Sequence, residues 1–256
     1  MYTIFMLLYI FIIGLSIGSF LNVLIDRLPK GKSIWGRSYC DHCKKQLKSI
    51  DLIPVFSYFI LKGKCRFCHK KIDSRYPIVE LLTGILFLIG FIYLPTQGLL
   101  PRILELALIS ALIVIFFADL KYQIIPDQAL IFAGLVGVLI LLLEQTGFSL
   151  ISFRFVEGLL VALPIYLIYA ISGGRAMGFG DVKLSFIVGL IFGLQKGFTA
   201  LYIAFVLGAI VSLILIFLKK KNIKSKIAFG PFIAIGSFCV LFIDKARLFM
   251  IPFFSN

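Results

Sequence analysis

The sequence has little charge, and acidic side chains are its scarcest charged groups. Asp and Glu number 12 against 26 Lys and Arg, and charged residues make up only 15% of the 256 positions. Hydrophobic residues account for 61%, and the mean hydropathy of +1.06 lies far above that of soluble domains. The composition therefore excludes an ordinary soluble protein and predicts a membrane protein.

Other patterns are missing altogether. No glycine-rich strand-to-helix fingerprint occurs, which excludes a Rossmann-type nucleotide-binding domain. No low-complexity segment and no internal repeat is visible. The first apolar stretch is too long, and too lightly charged at its start, for a cleaved signal peptide. That stretch is therefore predicted to remain as a membrane helix.

Long apolar runs are plentiful. A bilayer core requires about 20 mostly apolar residues per helix. A run of only 13 residues, 182–194, is expected to be sheltered by its neighbours. We predict an all-α polytopic protein, a bundle of about eight transmembrane helices with a small zinc-binding cytoplasmic insertion. The predicted spans are 3–25, 77–94, 102–118, 128–143, 155–172, 182–194, 198–218 and 230–243.

The positive charges predict the orientation. In this topology the loops on one side contain 21 of the 26 Lys and Arg residues, which marks that side as cytoplasmic. The net charge of +14 then reflects topology and attraction to anionic lipid, so no nucleic-acid partner is expected. The chain divides into a first transmembrane helix (1–25), a basic cytoplasmic loop (26–76) and a transmembrane core (77–256).

The cytoplasmic loop contains two CxxC pairs with 21 residues between them. Four thiolates at this spacing are typical of a tetrahedral Zn²⁺ site. Disulfides are the alternative, but a cytoplasmic loop is in a reducing compartment. A site closed by four sulfurs leaves no open coordination position, so the zinc is predicted to be structural. The predicted ligands are Cys40, Cys43, Cys65 and Cys68, and the adjacent His42 and His69 are interpreted as surface residues.

Two aspartates lie at the ends of predicted spans. Asp119 ends one span, and Asp181 opens another directly after the glycines of "GFGD". Two predicted spans separate them, so both carboxylates are expected at the same, cytoplasmic, face. Gly178 and Gly180 allow a tight turn and the close approach of an extended substrate.

A carboxylate at membrane depth is a candidate functional group. Two carboxylates side by side in a poorly hydrated site share one proton, so one activates water while the other polarises a peptide carbonyl. The alternative is that Asp119 and Asp181 cap helices or pair with Lys121 and Lys183.

The remaining acids are interpreted as structural groups. Asp127 is expected to cap the span that follows it. Glu80 is interpreted as a partner of Arg75. Asp26 is interpreted as an interface pair with Arg27.

Several segments together resemble the type IV prepilin leader peptidase family. They occur in the order typical of the family and extend from residue 18 to residue 234. The GxGD element alone is weak, because presenilin-like intramembrane proteases share it. The segments are the two CxxC pairs and "GSFLNVLIDRLP" (18–29), "SRYPIVELLTG" (74–84), "DLKYQIIPD" (119–127), "GFGDVKL" (178–184) and "FGPFIA" (229–234).

The resemblance implies a membrane aspartic protease whose catalytic residues are Asp119 and Asp181. Its implied activity is removal of the short basic leader from prepilins and related pseudopilins at the cytoplasmic face. Many members with the cysteine-bearing loop also methylate the new N-terminal amine, commonly of phenylalanine, using S-adenosylmethionine. Asp26 departs from the family pattern, in which many relatives have a neutral or aromatic residue.

The residues alone do not select a methyl-donor site. The polar groups at the boundary between the loop and the membrane are Asn22, Arg27, Arg75 and Glu80. Two other classes of function are alternatives to the peptidase. One is a proton- or ion-coupled transporter, which also uses intramembrane carboxylates. The other is a zinc-bearing membrane scaffold that catalyses no reaction.

Overall fold

The computed structural model describes residues 4–94, 98–143, 148–218 and 227–246. Within these ranges the chain forms eight α-helices and no β-strand. It divides into two compact units, Met1–Ile92 and Tyr93–Asn256. The all-α fold class predicted from the composition and the apolar runs is confirmed.

The first unit consists of two long helices and the insertion between them. The long helices are α1 (Ile4–Arg27) and α3 (Arg75–Tyr93), and the insertion contains a short helix, α2 (Phe56–Ile60). Helices α1 and α3 pack closely against each other at a glycine. If Gly18 carried a Cβ atom, that atom would lie 2.7 Å from the Cα of Glu80. Such close backbone contact is typical of helices that pack in a membrane, where small residues replace a hydrophobic driving force.

The second unit contains the remaining five helices. In the first of these helices, which begins at Leu99, every residue from Leu108 to Ile115 is buried. The helices are α4 (Leu99–Tyr122), α5 (Asp127–Leu143), α6 (Phe148–Ser172), α7 (Phe179–Phe217) and α8 (Gly230–Ala246).

Helix α7 reverses direction at Gly193. This residue has φ 80° and ψ 179°, a conformation that is essentially restricted to glycine. A Cβ on Gly197 would lie 3.2 Å from the Cα of Gly189, although eight residues of straight helix would separate the two by about 12 Å. The segments on either side of Gly193 therefore fold back on each other as a tight helical hairpin.

Five helices are long and apolar enough to cross a membrane, and α7 is one of them; α5 and the first part of α8 are shorter apolar helices. Each of the eight predicted spans coincides with a helix except at its ends: residue 3 lies outside the described residues, Leu94 follows α3 and Leu218 follows α7. The predicted spans 182–194 and 198–218 correspond to the two arms of the α7 hairpin, but the reversal at Gly193 lies inside the first span and not in a loop between the two. The unit boundary after Ile92 differs from the predicted divisions after 25 and 76, because α3 groups with α1. Those divisions remain a prediction.

Candidate functional site

The two aspartates meet at one end of the second unit. Asp119 lies in the last turn of α4 and is 5% exposed, while Asp181 lies in the first turn of α7 and is 7% exposed. They are close enough for their charges to interact. The structure thus brings together the two acids that the sequence singled out.

Each carboxylate has its own hydrogen-bonding environment. The backbone N–H of Gly178 donates to Oδ2 of Asp181 at 3.0 Å, so Asp181 caps the helix it opens. Oδ2 of Asp119 is buried without a hydrogen-bond partner among the described residues. A buried carboxylate oxygen in this state is costly unless something else satisfies it. The backbone N–H of Gly230, at the start of α8, is directed at the carboxylate of Asp119.

Glycines bring two backbone segments against the aspartates. The start of α8 reaches Asp119: a Cβ on Gly230 would lie 2.7 Å from its Oδ2 and 2.9 Å from Cδ1 of Ile125. A Cβ on Gly180 would lie 3.2 Å from Cβ of the same isoleucine. Ile125 therefore joins the two sides of the site, and neither glycine has room for a side chain.

The contact between α8 and α4 supports the predicted arrangement of spans. If α7 crossed the membrane as one straight helix, α8 would begin at the opposite end of the unit from Asp119. Because α7 reverses at Gly193, the chain returns, and Gly230 starts beside Asp119.

The alternative interpretation is wrong for the ion pair of Asp181 with Lys183 and correct for Asp181 as a helix cap. Lys183 binds Asp127 at 2.7 Å, not Asp181, and this pair is exposed. Asp127 is the first residue of α5 itself, and its side chain binds Lys183, so its predicted role as the helix cap stays a prediction. Asp119 forms no ion pair among the described residues.

Glu157 occupies a different position from the aspartate pair. Its Oε1 accepts the backbone N–H of Leu194 at 3.1 Å, directly after the reversal at Gly193. Its Oε2 accepts Arg154 at 3.2 Å. Glu157 therefore caps the second arm of α7 and lies at the hairpin tip, away from the N-terminus of α7 where Asp181 lies.

The four predicted cysteine ligands form one cluster in the first unit. All four Sγ atoms lie within 4.8 Å of one another, and those of Cys40 and Cys68 are 3.9 Å apart. A tetrahedral Zn²⁺ with Zn–S bonds of 2.3 Å would place the sulfurs about 3.8 Å apart. All four thiols are free of disulfides. The cluster therefore fits a tetrahedral metal ion.

Each CxxC pair lies in the same backbone turn. The backbone N–H of Cys40 donates to the carbonyl of Lys45, and the carbonyl of Cys40 accepts the N–H of Lys44. Cys65 forms the same two bonds with Lys70 and His69. The fifth residue of each turn has a positive φ, 58° at Lys44 and 54° at His69. The two turns are thus a short structural repeat, 25 residues apart, that the sequence analysis missed.

The electrostatics of the cluster favour a thiolate at Cys65, while burial and the neighbouring thiols raise the pKa of Cys68 to about 11. The backbone N–H of Cys68 and that of Phe67, at 3.4 Å, point at the sulfur of Cys65. These bonds lower the pKa of Cys65 to about 7, although burial opposes the shift. A thiolate is the form that binds a metal.

The polar groups at the loop boundary have partners that differ from the predicted ones. Arg75 binds both oxygens of Asp26 at 2.8 Å, and Tyr76 donates to the same carboxylate at 2.7 Å. Arg27 donates to backbone carbonyls of residues 33–35 and 37. Glu80 accepts the backbone N–H of Val55 at 2.7 Å, so its predicted pairing with Arg75 is wrong.

Together these features define a class: a polytopic α-helical membrane protein with a buried aspartate pair and a four-cysteine cluster. Residues 12–94 match the family described as "Bacterial Peptidase A24 N-terminal domain", and residues 106–213 match the "Type IV leader peptidase family". The chain belongs to the type IV leader peptidase family.

Curated relatives cover nearly the whole chain. A "prepilin leader peptidase/N-methyltransferase" of Pectobacterium carotovorum is 31% identical over 253 residues, 88% of each chain. One of Aeromonas salmonicida is 32% identical, over 91% of this chain and 89% of the relative. A "type 4 prepilin-like proteins leader peptide-processing enzyme" of Escherichia coli is 32% identical, over 90% and 91%. No solved structure gives a significant match.

Proposed function

We propose that the protein is a membrane aspartic endopeptidase that removes the short basic leader from type IV prepilins and related pseudopilins. We further propose that it then methylates the new N-terminal amine with S-adenosylmethionine. One observation carries the peptidase assignment: Asp119 and Asp181 meet, buried, at one end of the second unit in a member of this family. The names of the relatives support both activities.

In this mechanism the aspartates divide the work on the scissile peptide bond. One carboxylate takes a proton from water, and the resulting hydroxide attacks the peptide carbonyl. The partner, in its acid form, donates to the carbonyl oxygen as negative charge develops there. The proton held by the first aspartate then leaves with the amine. Burial strengthens each of these interactions because little water competes for them.

The site is open to an extended substrate at Gly178. This residue carries no side chain beside Asp181, and a Cβ on it would lie 3.5 Å from Oδ2 of Asp181. A substrate backbone can therefore approach the carboxylates closely. The prepilin is cut just before its hydrophobic helix, so the uncut substrate presents an apolar segment to the membrane and its basic leader to the loops.

The active site is proposed to face the cytoplasm. The basic loops 119–127 and 173–183 adjoin the aspartates in sequence, and the predicted positive-inside side is the side of these loops. Residues 219–226, which add five lysines to that side, lie outside the described residues. This orientation places the aspartates where precursors made in the cytoplasm arrive.

The cysteine cluster is proposed to hold a structural Zn²⁺. Four sulfur ligands close the coordination sphere, so the ion would have no position for substrate. Its role is to hold the two turns of the insertion, which have little buried apolar core: of the residues from 28 to 74, only Asp51, Gly63 and Cys65 are buried.

Methyl transfer is proposed for the first unit. S-adenosylmethionine, when bound, supplies a methyl group on a sulfonium, which a neutral amine accepts as the carbon–sulfur bond breaks. The chain must hold the amine in line with that methyl group and remove its proton. Polar side chains suited to this are clustered at the boundary of α1, α3 and the insertion, among them Asn22 and Glu80, both buried.

The alternatives have less support. An ion-coupled transporter is expected to bind its ion near the middle of the membrane, whereas Asp119 and Asp181 lie at helix ends. A scaffold without chemistry does not account for two buried carboxylates at the same end of the second unit.

A direct assay tests the proposal. Purified protein is incubated with a prepilin-like peptide, with and without S-adenosylmethionine, and the products are weighed by mass spectrometry. The expected products are the leader and a mature peptide, which gains the mass of one methyl group only when the donor is present. An unprocessed peptide under conditions in which the protein remains folded would contradict the proposal.

A further inference from the structure

An open cavity of about 300 Å³ lies beside α1 in the first unit, and neither the aspartate pair nor the cysteine cluster uses it. Three serines and four apolar residues form its wall. The lining residues are Ser16, Ser19, Phe20, Val23, Ser38, Leu52 and Pro54.

The two serines of α1 that line the wall each have an acceptor beside the hydroxyl group. Ser16 donates to the backbone carbonyl of Ile12 at 3.0 Å. The hydroxyl of Ser19 lies beside the carboxylate of Glu80, whose oxygens can take its hydrogen. A hydroxyl that has given its hydrogen elsewhere presents only lone pairs to a ligand. This part of the wall therefore accepts hydrogen bonds and does not donate them.

Glu80 places a buried carboxyl group directly behind that wall. It is 8% exposed, and its partners are neutral: the hydroxyl of Ser19 and the backbone N–H of Val55 at 2.7 Å. Among the described residues no Lys, Arg or His binds it. Buried carboxylates in proteins are normally paired with a cation. The cavity thus combines acceptors with a buried carboxyl group that lacks a cationic partner.

The carboxylate of Glu80 also binds the backbone of a strained turn at Val55, next to the cavity wall. Val55 has φ 64° and ψ −54°, which is unfavourable for a β-branched residue. The backbone N–H of Phe56 bonds the carbonyl of Pro54 at 2.6 Å across it. Such strain persists only where surrounding contacts enforce it, and it is concentrated at ligand sites. Glu80 therefore positions Pro54, one of the lining residues.

We propose that this cavity binds the free α-amino group of the mature pilin, with Ser16 and Ser19 accepting the N–H groups of its ammonium form and the Glu80 carboxylate accepting the proton that this form must lose before it takes the methyl group. The apolar lining residues would receive the side chain of the first residue. The volume is near the lower limit for ligand sites and suits one amino-acid residue. This inference rests on the proposed methyl transfer, for which it supplies the site of the methyl acceptor.

The acceptor-rich wall also distinguishes between two sources of an α-amino group. The methionine part of S-adenosylmethionine carries a carboxylate next to its amine, which Glu80 and the serine lone pairs would repel. In the mature peptide that carboxyl group is an amide and carries no charge. The geometry therefore favours the peptide terminus over the methyl donor.

The test measures binding to the full-length protein in detergent micelles. The probe is a fluorescent peptide of mature pilin sequence beginning with phenylalanine, and its N-acetylated form is the comparison. The wild type should bind the free amine more tightly. Ser19→Ala and Glu80→Gln should each weaken this binding about tenfold or more, because a hydrogen bond to a charged group is lost or the charge is removed. Neither should change binding of the acetylated peptide.

Two controls keep folding separate from binding. Ser110→Ala removes a hydroxyl bonded to a carbonyl four residues earlier, Leu106 at 2.9 Å, in the second unit, and should bind both peptides like the wild type. Ser19→Ala should still remove the leader from a full-length precursor. Equal binding of the free and acetylated peptides by the wild type, or unchanged binding in both cavity variants, would overturn the inference.

Competition separates this inference from the proposed function. If S-adenosylmethionine displaces the peptide and loses affinity in Ser19→Ala, the cavity holds the donor and the assignment to the acceptor is overturned. If the wild type cleaves and methylates while the cavity variants bind normally, only the cavity assignment fails. If the variants lose amine binding but the wild type does not methylate, the cavity assignment stands and the proposed methyl transfer fails.

Discussion

Asp119 and Asp181 reach the site by different routes. Asp181 is held by its own turn, through the bond from Gly178 at 3.0 Å. Asp119 depends on a distant segment, because the start of α8 packs on its carboxylate at Gly230. The position of the Asp119 carboxylate relative to Asp181 therefore depends on the contact between α4 and α8. Local sequence fixes one acid, and tertiary packing fixes the other.

Gly230→Ala is predicted to impair leader cleavage. The new Cβ would lie 2.7 Å from Oδ2 of Asp119, so the carboxylate or the helix must move. A displacement of about 1 Å at a catalytic group costs roughly 10²-fold in rate. We expect this loss in kcat, with little change in KM, because the substrate cleft is unaltered. Cleavage of a prepilin-like peptide followed over time gives both values.

The matched control is Gly208→Ala. Its Cβ would meet only the ring carbons of Phe229 and Phe232 at 3.4 Å, an ordinary contact. Its cleavage rate should stay close to that of the wild type, because this buried glycine has room for the added methyl group. Equal cleavage by both variants would mean that Gly230 does not position Asp119.

Sequence reasoning found residues whose chemistry is unusual for their surroundings. Asp119 and Asp181 were identified because a carboxylate is rare at the end of an apolar span. The bond from Val55 to Glu80 was not identified, because it joins residues 25 positions apart and depends on a positive φ at a valine. Nothing in the propensity of valine indicates such a backbone conformation.

At the scale of elements, the α7 hairpin was only partly predictable. The hydropathy pattern separated two spans, and the structure confirms both as helices. The hydropathy pattern does not indicate that the chain reverses at one glycine, since the reversal depends on the capping of Leu194 by Glu157 across two helices. The polar pair Arg154 and Glu157, which reads as surface charge in the sequence, is part of that hairpin tip.

Gly193→Ala is predicted to destabilise the second unit. Its φ of 80° and ψ of 179° are strained for any residue with a Cβ, at a cost of about 1–3 kcal/mol. The added carbon would also overlap the guanidinium of Arg154. Thermal unfolding in detergent should show a lower Tm than the wild type. Gly208→Ala, at an ordinary helical position, should unfold near the wild-type temperature; a Gly193→Ala protein as stable as that control would contradict the account of the hairpin.

The cysteine turns are predicted to bind one Zn²⁺ per chain. The sulfurs already lie within 4.8 Å of one another, so little rearrangement is needed. Elemental analysis of gently purified protein should find zinc at one equivalent, and Cys43→Ser should lose most of it. Cys239→Ser, which alters the cysteine outside the cluster, is the control and should retain the metal. Metal-free wild-type protein would contradict this prediction.

At the scale of the whole molecule, the two proposed activities are assigned to two compact units. The family matches follow the same division, with one match on residues 12–94 and another on 106–213. Separate cores mean that damage to one unit need not unfold the other. The Cys43→Ser protein should therefore remain inserted and lose methyl transfer more than cleavage.

The most direct test of the account uses Asp119→Asn and Asp181→Asn with two peptides, one bearing the leader and one already mature with phenylalanine first. An amide keeps the shape of the side chain but cannot carry the proton, so we expect leader cleavage to fall by about 10²–10⁴-fold or more. Methylation of the mature peptide should continue, since neither acid serves it. Mass spectrometry of both peptides measures the two activities. Normal cleavage by a folded Asp181→Asn protein would contradict the assignment of the aspartate pair.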